Sequence, residues 1–316
     1  MTKTAFVFPG QGAQYVGMGK DIVQNYESAN KIFELASNVI EYDMKKMCFE
    51  GPEEELKKTE NTQPAILTTC IAIAKILEEK GIQADMSAGL SLGEYASLVI
   101  AGVLDFKDAV TLVKKRGKYM QEAVPLGVGT MAAILGMERT DLDNALEKAR
   151  EFGIVEAANF NSPGQIVISG EIKAVEKACE LAKELGALKA VILPVSAPFH
   201  CSMLVPAGEK LAIELENIPL KDFEMPVIAN VNADYYKDKT QVKELLVEQV
   251  SNSVLWEDSI MQMLEDGVDT FIEIGPGKSL SQFIKKISRK AKKKVNIFNI
   301  ENKEDIEQVI QELSKR

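Results

Sequence analysis

Gly89-Leu90-Ser91-Leu92-Gly93 is the segment that most restricts what this chain can fold into. A serine with a glycine two positions to either side fits a sharp turn from a strand into a helix, where flanking side chains would clash. Ala84 to Gly89 reads as the short entering strand. Leu92 to Ala101 reads as a helix of good formers, among them Glu94, Tyr95, Ala96, Leu98 and Ile100, stopped by Gly102. This order puts Ser91 at a helix N-terminus, where free backbone N–H groups can hold a developing oxyanion. A serine hydroxyl is a poor nucleophile until a neighbouring base takes its proton, and histidine usually supplies that base. The chain has one histidine, His200. The bland reading of the same residues is an ordinary glycine-flanked turn and a histidine with no chemical task.

Around this turn, strand-like and helix-like segments alternate. Thr4 to Phe8 is a predicted strand, followed by a glycine-rich loop from Gly10 to Gly19. Helical spacing covers Ile22 to Ile40, Glu53 to Lys58, Gln63 to Lys80 and Phe106 to Ala123. Between Leu126 and Val195 the rhythm changes to strand Thr130–Leu135, helix Thr140–Phe152, strand Val155–Phe160, strand Gln165–Ser169, helix Ile172–Leu185 and strand Leu188–Pro194. That βαββαβ order is the ferredoxin-like unit, and it completes its own sheet. The α/β pattern then resumes with strands Pro226–Asn230, Thr270–Ile274 and Val295–Ile300, and helices Ser279–Ile287 and Glu304–Ser314. The expected fold class is α/β: a large subdomain resembling the α/β-hydrolases, with a parallel sheet, formed by residues 1–125 and 196–316. A small ferredoxin-like subdomain, 126–195, is inserted into it.

Several other residues invite a chemical reading. Gly10-Gln11-Gly12-Ala13-Gln14 follows the first strand, but Tyr15 stands where a dinucleotide fingerprint needs its third glycine. The loop remains able to aim N–H groups at a bound oxygen. Arg116 falls on the apolar stripe Phe106, Ala109, Val113, Gly117 and Met120, whereas Lys107, Lys114, Lys115 and Lys118 fall on the opposite face. An inward guanidinium needs a partner, either a bound carboxylate or an internal Asp or Glu. Cys201 adjoins His200, but adjacent side chains rarely meet, so a thiol–histidine pair is not expected. Lys285, Lys286, Arg289, Lys290, Lys292, Lys293 and Lys294 form a basic run, read either as a solvated helix face or as a docking patch for an acidic partner.

Composition narrows the function classes. With 316 residues and 46% hydrophobic, the chain can bury a large core. A formal charge of −10 argues against nucleic acid as the main partner. The most apolar stretch, Ala65 to Leu77, contains Lys75 and is too short to span a bilayer, so no membrane association is expected. Cys48, Cys70, Cys179 and Cys201 lack metal spacing, and no secretory leader is read at the start. A cytoplasmic protein without a metal is the expectation.

Taken in order, Gly10-Gln11-Gly12-Ala13-Gln14, Gly89-Leu90-Ser91-Leu92-Gly93-Glu94, Arg116, Asn161-Ser162-Pro163-Gly164-Gln165, Pro198-Phe199-His200 and Gly275-Pro276-Gly277-Lys278 make a recognisable set. Together they resemble the malonyl-CoA:acyl carrier protein transacylases of bacterial type II fatty acid synthesis, over nearly the whole chain. The resemblance implies that Ser91 carries the acyl group as an ester and His200 is its base. It further implies that the Gln249 backbone carbonyl orients the imidazole and that the Gln11 and Leu92 N–H groups form the oxyanion hole. Arg116 would pair with the malonyl carboxylate, with Gln63, Asn161, Gln165 and Phe199 lining the substrate site. Malonyl-CoA and acyl carrier protein are the implied partners of a monomeric enzyme with no cofactor. The chain departs from the commonest family pattern at Leu90, where a histidine often precedes the nucleophile.

Two enzyme readings share this serine chemistry: a transacylase of a polyketide or malonate-decarboxylase system, and a serine thioesterase or hydrolase. The hydrolase class typically adds a His-Gly-Gly-Gly-like oxyanion motif, which a chain with one histidine at position 200 cannot supply. A ligand-sensing module is the non-enzymatic alternative, and it predicts no covalent adduct on Ser91.

Overall fold

Two sheets divide the strands of the computed structural model, which describes residues 2–195 and 197–314. Along the chain the strands are β1 (Lys3–Phe8), β2 (Met86–Gly89), β3 (Gly129–Leu135), β4 (Val155–Ser162), β5 (Gln165–Glu171), β6 (Lys189–Ile192), β7 (Val227–Ile228), β8 (Val268–Ile274) and β9 (Asn296–Ile300). The first sheet has the order β7-β2-β1-β8-β9, with every pair parallel. The second, β4-β5-β3-β6, is antiparallel throughout. The molecule is thus mixed α/β with separate parallel and antiparallel sheets. Ser196, the expected first residue of the third segment, lies outside the described residues.

Parallel strands need helical crossovers, so their sheet is covered on both faces and its strands read as apolar runs. The helix Thr59–Glu79 is the most buried of these covers, its side chains enclosed from Thr59 to Leu77 apart from Glu60 and Lys75. It begins four residues before the expected start at Gln63. Pro64 marks a natural beginning because it lacks an N–H. The extra turn forms because Lys58 O accepts from the Asn61 and Thr62 amides, at 2.8 Å each. The side chains of Asn61 and Thr62 also donate to Glu55 O and Leu56 O. The helix expected over Ile22 to Ile40 is two, Lys20–Asn25 and Glu27–Val39, because Tyr26 is extended (φ −133°). Helices Met44–Glu50, Val205–Glu216, Val242–Ser251 and Trp256–Glu265 were not evident from periodicity. The strand expected over Pro226 to Asn230 shortens to two residues, since the Asn230 N–H leaves the sheet to meet Glu94.

The antiparallel sheet has a core of its own. Ala132, Ile134, Val155, Ile166 and Ile168 pack under helices Arg139–Ala149 and Ile172–Glu184. A short bridge joins this unit to the rest of the chain: Phe160 N–H donates to Val254 O at 2.9 Å, and Val254 N–H to Ala158 O at 2.8 Å. Arg139 adds an ion pair to Glu257 and another to Asp258, at 3.2 and 2.9 Å. No helix among the described residues is long and apolar enough to cross a membrane.

Candidate active site

The turn after β2 is held by space and by strain together. A methyl group at Gly89 would stand 1.8 Å from the Gly93 carbonyl carbon, and one at Gly93 would stand 2.1 Å from Phe8 O. Only hydrogen fits at either position, so the glycines let the helix Gly93–Ile100 start against the ends of β1 and β2. Ser91 itself is left-handed, with φ 53°. For a non-glycine residue that costs about 1–2 kcal/mol. Asn230 offsets the cost by gripping the turn from both sides. Its Oδ1 accepts from Ser91 N–H at 2.6 Å, and its Nδ2 donates to Gly89 O at 2.7 Å.

Ser91 and His200, 109 residues apart, meet with Oγ 2.7 Å from Nε2. On the other side of the ring, Nδ1 is 2.8 Å from the Gln249 backbone carbonyl. A carbonyl can only accept, so the hydrogen of the neutral ring sits on Nδ1 and Nε2 is left to take the serine proton. Burial, with the neighbouring Arg116 charge, pulls the imidazole pKa down to about 4, which keeps the ring in this neutral form. Cys201 turns away and donates to Pro198 O at 3.2 Å, and burial pushes its thiol up to about 11.

Arg116 comes from the helix Phe106–Glu122, whose Gly117 packs against the start of the helix Thr59–Glu79 and brings Arg116 to Gln63. The guanidinium is 1% exposed. Nη1 donates to Gln63 Oε1 at 2.8 Å, while Nη2 donates to Gln249 Oε1 at 2.9 Å and to Ser91 Oγ at 3.2 Å. Nε finds no partner among the described residues. All three acceptors are neutral oxygens, and no ion pair among the described residues includes Arg116. The internal salt bridge that would have explained this residue is therefore not what holds it.

The Gly10 loop lies against the same turn, since a methyl group at Gly10 would stand 2.6 Å from Leu90 O. Among the described residues, neither Gln11 nor Leu92 gives its N–H to another backbone group. The Gln11 side chain reaches Thr59 Oγ1 at 3.2 Å. Phe199, 8% exposed, precedes His200 directly. Asn161 is buried at the end of β4, with its Oδ1 unpartnered among the described residues. Gln165 points elsewhere, accepting from Lys286 Nζ at 3.1 Å. Hydrogen bonds thus join Ser91, His200, Arg116, Gln63 and Gln249 into one cluster, but not Asn161 or Gln165.

Four groups in this cluster escaped the sequence reading: the carboxylate of Glu94, Asn230, Tyr236 and the side chain of Gln249. Glu94 accepts from Gln249 Nε2 at 2.6 Å, from Asn230 N–H at 3.1 Å and from the Tyr236 hydroxyl. One signal was available. Glu94 is the acidic residue of a helix that otherwise reads Tyr95, Ala96, Ser97, Leu98, Val99 and Ile100. A carboxylate there is either at the surface or buried for a reason. No group of three or more His, Cys, Asp or Glu side chains among the described residues is arranged to hold a metal.

The acyl transferase domain model matches residues 5–309. The malonyl CoA-acyl carrier protein transacylase of Bacillus subtilis is 49% identical over 316 residues, covering 100% of this chain and 98% of that protein. The crystal structure of malonyl CoA-acyl carrier protein transacylase from Clostridium perfringens superposes with a TM-score of 0.95 at 50% identity, covering 99% and 98% of the two chains. A malonyl-transacylase solved in complex with its type II PKS acyl-carrier protein gives a TM-score of 0.95 at 40% identity, covering 98% and 100%.

Proposed function

The chain belongs to the acyl transferase family, and from that premise we propose that it moves a malonyl group from malonyl-CoA to the phosphopantetheine thiol of acyl carrier protein, by way of a Ser91 ester, in fatty acid synthesis. The observation that carries the malonyl assignment is Arg116: a buried cation held by neutral oxygens, 3.2 Å from the Ser91 hydroxyl. A guanidinium kept out of water with no carboxylate in direct contact among the described residues is costly, and a substrate carboxylate would supply the bidentate partner.

The chemistry runs in two balanced halves. Ser91 Oγ attacks the thioester carbonyl carbon as His200 Nε2 takes its proton, and the Gln11 and Leu92 N–H groups hold the oxyanion. The C–S bond breaks, and His200 returns the proton to the departing CoA sulfur. The carrier thiol then gives its proton to His200 and attacks the ester carbonyl. The C–O bond breaks, and Ser91 recovers its hydrogen. Through both halves the Gln249 carbonyl steadies the imidazolium.

Gln63, Phe199, Asn161 and Gln165 complete the substrate walls in this reading. The unpartnered Asn161 oxygen supports such a role, whereas Gln165 would have to exchange Lys286 for the substrate. Residues 1–125 and 196–316 form a hydrolase-like unit around a ferredoxin-like insert, 126–195, a division supported by the β4-β5-β3-β6 order. The groove lined by Lys278, Lys285, Arg289 and Lys292 to Lys294 supports docking of the acidic carrier. A cytoplasmic setting is supported by four buried free cysteines.

Intact-protein mass spectrometry after brief exposure to malonyl-CoA and to acetyl-CoA tests the proposal. A malonyl adduct on Ser91, discharged by carrier thiol faster than by water, is the expected result. Discharge by water alone would make the protein a thioesterase, and no adduct would make it a binding module.

A further inference from the structure

Glu94 is a fully buried carboxylate that the transfer steps leave without a task. Desolvation pushes its pKa up to about 7, even though Tyr236, Gln249, Asn230 and Arg116 all favour the charged form. Its contact with Gln249 decides how that side chain lies. A primary amide presents donors at Nε2 and an acceptor at Oε1, and the two ends are otherwise interchangeable in shape. Here Nε2 meets only acceptors: Glu94 Oε2 at 2.6 Å, Ser91 O at 3.0 Å and, more distantly, Asn230 Oδ1 at 3.5 Å. Oε1 faces a group that can only donate, Arg116 Nη2, at 2.9 Å. The carboxylate is the nearest and the strongest of these acceptors.

We propose that Glu94 is a positioning residue for malonyl selectivity: it fixes the Gln249 amide with Oε1 toward Arg116, and so holds the guanidinium where a substrate carboxylate meets it. This inference rests on the reading of Arg116 as the malonyl partner. A glutamine at position 94 offers both a donor and an acceptor, and therefore admits the flipped amide. In the flipped state Gln249 Nε2 and Arg116 Nη2 present hydrogens to each other, and the guanidinium is driven from its place. The Gln249 backbone carbonyl, which serves His200, is unaffected by the flip. Selectivity should change before general acyl transfer does.

The experiment measures kcat/KM for malonyl-CoA and acetyl-CoA on the full-length wild type, Glu94→Gln, Tyr236→Phe, Arg116→Ala and the double variant Glu94→Gln/Arg116→Ala. For Glu94→Gln the malonyl value should fall about 10- to 30-fold and the acetyl value by less than about threefold. Adding Glu94→Gln to Arg116→Ala should cost no further malonyl activity, because residues acting through one another are not additive. Tyr236→Phe removes only the hydroxyl that meets Glu94, and should shift the same ratio in the same direction by about two- to fourfold. Equal losses for both thioesters, or additive losses in the double variant, would overturn the inference and make Glu94 a structural residue. Should Glu94→Gln not fold, an unchanged ratio in Tyr236→Phe overturns it. A wild type that takes no malonyl group onto Ser91 ends the underlying reading, and this inference with it.

Discussion

Strand β2 of the parallel sheet is buried at all four positions and β1 at its last four, whereas β6, an edge of the antiparallel sheet, is exposed at three of four. The first sheet is enclosed by helices, and its β1 and β2 end in Phe8 and Gly89, where the Gly10 loop and the Ser91 turn begin. Enclosure removes water from that end, which lowers the imidazole pKa and leaves Arg116 without competing solvent. The antiparallel unit packs its own core and meets the rest through the Val254 bridge and the Arg139 ion pairs. Chemistry belongs to the sheet that can bury charged and strained groups. The other sheet keeps to its own core and to the surface.

If that division is right, the largest loss comes from one atom at the end of β2. Ser91→Ala should abolish covalent acylation while leaving the thermal transition in place, since the hydroxyl is needed only as nucleophile. A full-stoichiometry malonyl adduct on the alanine variant would break the assignment. Next is His200→Ala, with acyl transfer expected to fall by about three to four orders of magnitude. The wild-type pH profile sharpens the point. The base works when neutral and its pKa is lowered to about 4, so kcat/KM for acetyl-CoA, which does not depend on the Glu94 carboxylate, should hold as pH falls through 6 and decline through one ionisation near 4. A half-loss near the ordinary histidine value of about 6.5 would mean an imidazole open to water. Circular dichroism must accompany the profile. The unfolded chain binds this proton at higher pH than the folded one, so His200 removes stability as pH falls between those values. Glu94, raised to about 7, acts in the opposite sense over an overlapping range.

A third test asks whether enclosure serves selectivity as well as reactivity. Arg116→Ala should depress malonyl kcat/KM on the order of 100-fold or more while sparing acetyl transfer, because only malonyl brings a carboxylate into a buried site. Arg116→Lys should recover part of the loss, since it restores charge without the planar fork. Equal losses for malonyl and acetyl would make Arg116 structural.

What the sequence revealed follows the same division. The Gly89–Gly93 turn was legible because its signal is local, two glycines flanking one serine within five residues, although what crowds Gly93 is Phe8 O on a neighbouring strand. The stripe that carries Arg116 was legible because helical spacing is local too. The network behind Ser91 was not, because Asn230 and Gln249 reach it across 139 and 158 residues, and no periodicity encodes such contacts. The Gln249 carbonyl entered only through resemblance, and its side chain not at all. Helices Val242–Ser251 and Trp256–Glu265 were missed although both are amphipathic. Their caps offered no warning: neither N-cap residue, Gln241 or Leu255, makes a side-chain capping bond. The split at Tyr26 is a backbone event inside an unbroken apolar pattern, which a pattern-based reading runs through.

The smallest predicted effect lies where the two regions touch. The helix Ser279–Lys290 starts just after β8, capped by Glu273, whose carboxylate accepts from Leu280 N–H at 3.0 Å and from Ser281 N–H at 2.7 Å. It buries Leu280, Ile284 and Ile287, and turns its cations outward. Lys286 reaches across to Gln165 on the antiparallel sheet, and Lys290 pairs with Glu257, while Lys285 and Arg289 face the open groove. These are exposed charges, screened over about 8 Å at physiological salt, so each contributes little to folding. In the proposed docking, their summed field is what would draw an acidic carrier. Charge reversal at Lys286 and Arg289 should therefore raise the carrier KM about two- to fivefold at low salt, and less at high salt. Acylation by malonyl-CoA alone should stay near the wild-type rate, because the Ser91 cluster includes neither residue. Carrier kinetics that ignore both the reversal and the salt would return this helix to a plain solvated face. A matching loss in the first half-reaction would instead show that the groove serves malonyl-CoA, and the line between chemistry and surface would have to be drawn further out.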